Sequence, residues 1–476
     1  MGGRDRPEPS EILTDPTARR VVVVGAGFGG LWAVRRFVSR GIGVTLIDRN
    51  NYHTFFPLLY QVAAAELGPS EIAYPIRSLF RRHPLVDFRR AGVHGVDLDA
   101  RIVEADGSRL EYDYLVMALG SVPNFFGVKG AARHAFPLRT MDDAIPLRYH
   151  VLNCFERAAQ TSDSSARESL LRFVIVGGGA TGVEYAGALA ELIYGPLLKD
   201  FGGITRDEVD IRLLEGGGAL LAGMPPRLQE YARVRLERGG VQVLTGSQVV
   251  EVTSDSVVTN DTNDTARGDR GDTLASDLGD TSGPDPGGAV NEHTSRTATR
   301  TVVWAAGVQG DPAVGSWGLP VGPAGRVPVE GTLQVPGYPE VFVVGDLAYL
   351  EVEGQLLPQI AQVALQQGSR AAENVARMIG GEAPEDFTYK DLGMLAVIGR
   401  NAAVARLWGR SFTGFAAWTL WLVIHVVNLM GFRNRMLVLV NWAWNYVFYR
   451  RAVRLILPDT TGESGADKVP GAPEGR

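Results

Sequence analysis

Hydrophobic positions along the chain recur in a cycle of apolar run, glycine turn and helical period. Val21-Val22-Val23-Val24 is an uninterrupted apolar run, which predicts a strand covered on both faces of a parallel sheet. A glycine turn follows, then a helical pattern from Leu31 to Arg40 and a second strand from Val44 to Ile47 that ends at Asp48. The cycle returns about 150 residues later. Phe173 to Val176 reads as a strand, Gly177 to Gly182 as a turn, Val183 to Ile193 as a helix, and Val209 to Leu214 as a strand ending at Glu215. Strands alternating with helices in this way predict an α/β fold with two Rossmann-like, doubly wound units.

Two stretches break the cycle. Thr259 to Thr299 holds seven Asp and Glu292 against three Arg, with almost no large apolar residues. It lacks the surface to offset its ordering entropy and is expected to be a disordered insertion in a hairpin. Ser411 to Phe432 is the opposite case, 22 residues without Lys, Arg, Asp or Glu. Its length permits a membrane-spanning helix. It nevertheless contains His425 and Asn428, and the next apolar run, Met436 to Tyr449, has only 14 residues and includes Asn441 and Asn445. Attachment to one face of a bilayer is therefore expected rather than a span, with contact between two copies of the chain, a homodimer, as the alternative use of this surface.

Charge sharpens that expectation. The chain of 476 residues carries a net charge of -6, which argues against nucleic acid as a partner. Between Asp386 and Pro458, however, there are nine basic and two acidic residues and five of the eight tryptophans. Aromatic rings beside Arg433, Arg435, Arg450 and Arg451 suit the headgroup depth of an anionic membrane surface. Cys154 is the single cysteine, so a dithiol redox centre, an iron–sulfur cluster and a Cys-ligated metal are excluded, and no metal site is expected. The first twenty residues lack an apolar h-region, so a cytoplasmic catalytic body is expected.

The turns carry the chemistry. Gly25-Ala26-Gly27-Phe28-Gly29-Gly30 fits G-x-G-x-x-G between a strand and a helix. Gly25 permits the tight turn, Gly27 admits a pyrophosphate to the backbone, and Gly30 allows helix and strand to touch. Asp48 stands 23 residues on, where a carboxylate accepts hydrogen bonds from a ribose diol. Gly177-Gly178-Gly179-Ala180-Thr181-Gly182 repeats the fingerprint, with Glu215 as its acid 38 residues beyond Gly177. A carboxylate there receives a free 2′-hydroxyl and repels a 2′-phosphate, so NADH is favoured over NADPH. Val341 to Asp346 is a third signal, a buried strand ending in Gly345-Asp346, where the aspartate can accept a bond from a sugar-alcohol hydroxyl.

Three motifs in this order resemble the flavoproteins with two dinucleotide-binding domains, the second inserted in the first. Within them the chain is similar to the type II NADH dehydrogenases, the single-subunit NADH:quinone oxidoreductases. That similarity rests on Asn51 to Ala63, Trp304-Ala305-Ala306-Gly307-Val308, Val341 to Ala348, Pro358 to Ala364 with Gln366-Gln367-Gly368, and Gly431 to Arg435. It runs from about Arg20 to Leu457, apart from the acidic insertion. The resemblance implies that Gly25, Gly27, Gly30, Asp48, Gly345 and Asp346 hold non-covalent FAD. It implies that Gly177, Gly179, Gly182 and Glu215 hold NADH, that Ala306 and Gly307 are cofactor-binding, and that the acceptor is a membrane quinone, menaquinone or ubiquinone. The helix opening near Gln359 to Gln366 would aim its N-terminus at the flavin, and Gln359, Gln362, Leu365 and Gln366 are the quinone-side candidates. Leu365 stands where some relatives carry histidine, so no proton role falls to it. Glu184 matches a glutamate near nicotinamide and flavin; it either orders the site or relays a proton there, or is a helix acid held by the dipole. His53 is as well explained by packing as by catalysis.

The implied domains are a tail over 1–18, an FAD domain in two parts, 19–150 and 310–385, and an NADH domain over 151–309. A membrane-anchoring helical region over 386–458 and a polar tail over 459–476 complete the chain. The expected enzyme brings electrons into a respiratory chain at the cytoplasmic face of the cell membrane. Sulfide:quinone and dithiol reductases are excluded by the single cysteine, and a soluble reductase leaves the Trp/Arg tail unexplained. A non-catalytic FAD- and NAD-binding redox sensor is the remaining alternative.

Overall fold

The computed structural model describes residues 19–261, 293–448 and 454–456. Val21–Val24 forms the middle of a sheet of six strands, and all four valines are buried because helices cover one face and the antiparallel strands Val93–Asp97 and Ile102–Ala105 pack on the other. The order across this sheet is Gln334–Val335, Tyr338–Val343, Tyr114–Met117, Val21–Val24, Val44–Asp48, Val86–Arg90. All neighbours are parallel except at the Gln334–Val335 edge. The chain leaves this sheet after Met117 and builds a second one before returning at Gln334. The second sheet is wholly parallel, in the order Phe136–Pro137, Thr301–Trp304, Arg172–Val176, Asp210–Glu215, Val241–Thr245. One doubly wound unit is thus inserted in the other. A short antiparallel pair, Val122–Pro123 with Val308–Gln309, ties the two together.

Glycines set how closely the layers approach. The helix Phe28–Ser39 lies against the helix Ala361–Ile379, and a Cβ on Gly368 would overlap the Gly29 carbonyl. The second fingerprint helix, Ala180–Leu192, runs on through a π-helical turn, Ile193–Leu197, which takes up part of the extra sequence before Glu215.

Two expectations need correction. The strands Ser256–Asp261 and His293–Ala298 pair in register, Thr259 with Ser295 and Asp261 with His293, so the hairpin extends into the stretch read as unstructured. The rest of the insertion, 262–292, lies outside the described residues, as do both tails and Arg450 and Arg451. The region after 386 is also not simply helical. It opens with an antiparallel sheet of three strands, Met394–Gly399, Ala402–Leu407 and Arg410–Thr413. The uncharged run then divides between the last three residues of the strand Arg410–Thr413 and the helix Gly414–Asn428, and a second helix, Phe432–Phe448, follows. Among the described residues no helix is long and apolar enough to cross a membrane.

These two helices belong to the body. Trp421 is 1% exposed, and Ala417 and Val438 are fully buried. Trp442 Nε1 donates to Gln61 Oε1 at 2.9 Å, Asn434 Nδ2 to the Ala73 carbonyl at 3.0 Å, and Asn441 to the Glu71 carboxylate. Of the asparagines that argued against a span, Asn441 and Asn445 thus face inward, Asn445 donating to the Glu66 carbonyl at 3.5 Å, whereas Asn428 is exposed and donates back to the Ile424 carbonyl of its own helix. Arg435 closes the first helix by donating to the Leu429 and Val427 carbonyls, both at 2.7 Å.

Candidate functional site

The two fingerprints fold alike, atom for atom. At the first, Gly25 takes φ +100°, and a Cβ there would overlap the Ala118 carbonyl. Asp48 Oδ2 accepts from Ala26 N at 2.6 Å and Oδ1 from Asn50 N at 2.7 Å. At the second, Gly177 takes φ +111°, crowded by Ala305 and Ala306. Glu215 Oε2 accepts from Gly178 N at 2.6 Å and Oε1 from Gly217 N at 2.6 Å. In each case the acid at the end of the second strand is tied to the residue after the first glycine. Each carboxylate keeps acceptor capacity for a diol. Burial raises the Asp48 pKa against the opposing pull of its two N–H donors.

Gly27 and Gly179 are the N-caps of the two helices, without side-chain caps, and nothing lies within 4 Å of where their Cβ atoms would be. Open space in front of uncapped helix N–H groups is what a pyrophosphate requires. Gly30 and Gly182 each sit against the carbonyl of the first glycine of their own turn, where any Cβ would overlap it.

The third motif is held from several directions. Gly345 has φ +75° and its N–H donates to Gln367 Oε1 at 2.7 Å. Asp346 Oδ2 accepts from Ser121 Oγ at 2.8 Å and Arg139 Nη2 at 2.7 Å, and Gln359 Nε2 donates to the Asp346 carbonyl at 2.9 Å. Arg139 also lies over the Phe56 ring, 5.0 Å from its centroid. Buried Gln367 Nε2 and His53 Nε2 have no protein partner. With an open glycine turn beside them, they fit a polar cofactor edge. His53 Nδ1 is 2.9 Å from the Ala26 carbonyl, and burial pushes its pKa down to about 4, so the ring is neutral. Arg139 and Gln367 escaped the sequence reading as ligands. Thr140 and Asp143 form a capping box that marks Arg139 as the residue before a helix N-cap, but nothing local points it at Asp346, 207 positions away.

Breaking that ion pair tests the third motif. Arg139→Ala removes a charged hydrogen bond from a largely buried carboxylate, a loss of about 1.5–3 kcal/mol. FAD retained after exhaustive dialysis is expected to fall about tenfold to a hundredfold in affinity, with Arg139→Lys partly restoring it.

Glu184 is buried on the helix Ala180–Leu192, and its Oε1 accepts from Val397 N at 3.2 Å. Burial pushes its pKa up to about 8; the Val397 N–H and the neighbouring Trp421 indole, which makes no well-formed hydrogen bond, oppose that rise only weakly. Glu184 lines a cavity of about 640 Å3 walled also by Tyr60, Gln61, Arg400, Trp421 and Trp442. Gln359, Gln362, Leu365 and Gln366 do not line it. Gln362 Nε2 donates to the Gly393 carbonyl at 2.8 Å and its Oε1 accepts from Leu392 N at 3.3 Å, while Gln366 bonds Lys390 in the same two-ended way. Gln362 and Gln366 therefore fasten 390–393 to the helix, and Leu365 is half-buried against the core.

The pyridine nucleotide-disulphide oxidoreductase family model matches residues 19–368, and the NDH2 C-terminal domain model matches 392–451. A type II NADH:quinone oxidoreductase of Mycobacterium tuberculosis is 33% identical over 94% of this chain and 92% of its own length. The chain belongs to the type II NADH:quinone oxidoreductases. A second such protein of the same organism is 36% identical over 91% of this chain and 88% of its own. Among solved structures, NDH2 from Plasmodium falciparum in complex with NADH superposes with a TM-score of 0.79 at 19% identity, covering 90% of this chain and 98% of that one. The sulfide:quinone oxidoreductase of Aquifex aeolicus shares the fold, with a TM-score of 0.67 at 18% identity over 90% of this chain and 96% of its own. In this type II family member the one cysteine, Cys154, is buried in the helix Met141–Gln160, its Sγ 3.5 Å from His150 Nε2.

Proposed function

We propose that this chain oxidises NADH and delivers the two electrons to a quinone dissolved in the bilayer, using non-covalently held FAD at the cytoplasmic face of the cell membrane. One observation carries this reading. Glu184 lies on the helix whose N-terminus bears the second glycine turn, and it also lines the cavity walled by the Trp-bearing tail helices. A water-soluble donor site and a membrane-facing surface thereby meet at one buried acid.

FAD, when bound, supplies the chemistry of accepting a hydride and passing on its two electrons. The chain supplies position and charge. Gly25, Gly27, Gly30, Asp48, Gly345 and Asp346 would hold FAD, while Gly177, Gly179, Gly182, Glu215, Ala306 and Gly307 would hold NADH. The helix Ala361–Ile379 has no side-chain cap, so its positive end favours negative charge developing beside it. Glu184 is neutral at pH 7 and holds a proton beside the cavity. Gln362 would reach a quinone carbonyl by exchanging its Gly393 bond. The test is turnover of NADH and NADPH with menaquinone and ubiquinone analogues, followed at 340 nm. NADH with a quinone should turn over and NADPH poorly. Flavin bleaching by NADH without turnover would instead establish the redox sensor.

Attachment to lipid is argued from the outer faces of the tail helices. Phe415, Val423, Val427, Phe432, Val440 and Trp444 are all exposed, Phe432 by 79%. Exposed Arg433 lies beside them. Deleting the tail would also remove Trp421 from the core, so substitution is the cleaner test. Phe432→Glu with Val440→Glu removes two apolar side chains worth roughly 1.5–3 kcal/mol each from a lipid contact. Sedimentation with anionic vesicles should weaken about a hundredfold or more while flavin content and activity with a water-soluble quinone persist. Unchanged sedimentation would remove this face from the membrane.

A further inference from the structure

We propose that Phe126 is a specificity-determining residue, the ring against which the nicotinamide half of NADH rests; this depends on the NADH reading above. The residue breaks a local rule. Val128 N donates to the Phe125 carbonyl at 2.9 Å, closing a tight turn whose two central residues, Phe126 and Gly127, have φ of +50° and +70°. Turns with two positive φ values call for Asn, Asp or Gly at the first central position, since a bulky side chain there is strained. Nothing in the turn offsets that strain by burial, because Phe126 is 62% exposed. A conformational cost with so little burial in return marks a position kept for contact with something else.

The turn is fixed where NADH must pass. Asn124 N donates to the Gly307 carbonyl at 3.0 Å, Trp304 Nε1 donates to the Asn124 carbonyl at 2.8 Å, and Phe126 N donates to Asn124 Oδ1 at 2.8 Å. The Phe126 ring lies directly on Gly307, so that a Cβ on Gly307 would stand 2.8 Å from its Cζ. Sheet order then says which half of the nucleotide comes here. Glu215 ends the strand on one side of Arg172–Val176, and Thr301–Trp304, leading to Gly307, lies on the other. With the adenosine ribose at Glu215 and the pyrophosphate over Gly179, the dinucleotide extends across the glycine turn toward Gly307. The half that arrives beneath Phe126 is the planar pyridine carboxamide with its ribose. This is also the side on which Val122–Pro123 and Val308–Gln309 join the two domains. An aromatic face there restrains the ring as it is handed across.

The experiment uses the FAD-loaded enzyme, titrated with NAD+ and with ADP-ribose, which lacks the pyridine ring. Phe126→Asn keeps a residue that tolerates the left-handed backbone but removes the aromatic face, and Phe126→Tyr keeps the face. Asn is expected to weaken NAD+ binding and raise the NADH KM about five- to tenfold, leaving ADP-ribose binding and the quinone KM unchanged. Tyr should behave as the parent, and the Asn variant should melt no lower than the parent. Equal loss of NAD+ and ADP-ribose binding, or no loss of either, would overturn the assignment. If the parent enzyme bound neither nucleotide, the NADH reading would fall and take this inference with it.

Discussion

Replacing Gly187 with alanine will uncouple the NADH-side helix from the C-terminal sheet. Gly187 stands on the helix Ala180–Leu192 where the strand Met394–Gly399 crosses it, and a Cβ there would overlap the Ile398 carbonyl. The obstacle is backbone, so no rotamer change relieves it and helix and strand must move apart. Glu184, nearly one turn earlier on the same helix, reaches Val397 N at 3.2 Å, already at the long end of a hydrogen bond. A further half-ångström breaks it. Overpacking costs about 1–3 kcal/mol and leaving the carboxyl unsatisfied costs a comparable amount, so the substitution removes several kcal/mol. Hydrogen exchange should accelerate through 394–407 and the quinone KM should rise. Bound flavin should be retained, because Gly25, Asp48 and Asp346 lie in the other domain. Parent-like exchange in that sheet would show that the helix–strand contact is looser than the geometry requires.

Gly187 also marks the limit of what the sequence discloses. The fingerprint glycines and their acids are legible because their constraints are local or nearly so: strand, turn, helix and the next strand lie within about forty residues. Ala26 N on Asp48 and Gly178 N on Glu215 follow from that spacing. Gly187, by contrast, is one glycine inside an Ala-rich helix, and its reason is a strand two hundred residues on. Arg139 on Asp346 and Gln367 on Gly345 are tertiary contacts of the same sort. The C-terminal sheet was hidden for another cause. Met394 to Ile398 is a continuous apolar run without alternation, since both its faces are covered, and Arg410–Thr413 merges into the uncharged stretch that follows. The tail helices look like membrane segments in composition because one surface is greasy; the inward bonds of Asn434 and Asn441 are visible only when the 61–73 segment is placed beside them.

Glu184→Gln will flatten the pH dependence of stability between about pH 4.5 and 8 and remove an activity inflection at its upper end. The carboxyl pKa, ordinarily 4.5, is pushed up to about 8 by burial. A raised folded-state pKa means the folded protein binds more protons than the unfolded chain between those values. The stabilisation is therefore complete below the unfolded pKa, declines as pH rises through the window, and is gone above about 8. The slope approaches 1.4 kcal/mol per pH unit at its steepest. Glutamine cannot ionise, so melting temperatures of the variant should stay level where those of the parent fall. The same ionisation separates the two roles open to this residue. An anion held by the helix dipole would have its pKa lowered, whereas here desolvation outweighs the dipole and keeps the acid protonated. A protonated acid beside the cavity can donate at neutral pH and loses that capacity above 8. Turnover by the parent should decline there, while the Gln variant should be slower by roughly a hundredfold at every pH and show no inflection. Parallel melting curves for the two proteins would mean that Glu184 is already charged in the folded state, and the proton would then have to come from another group.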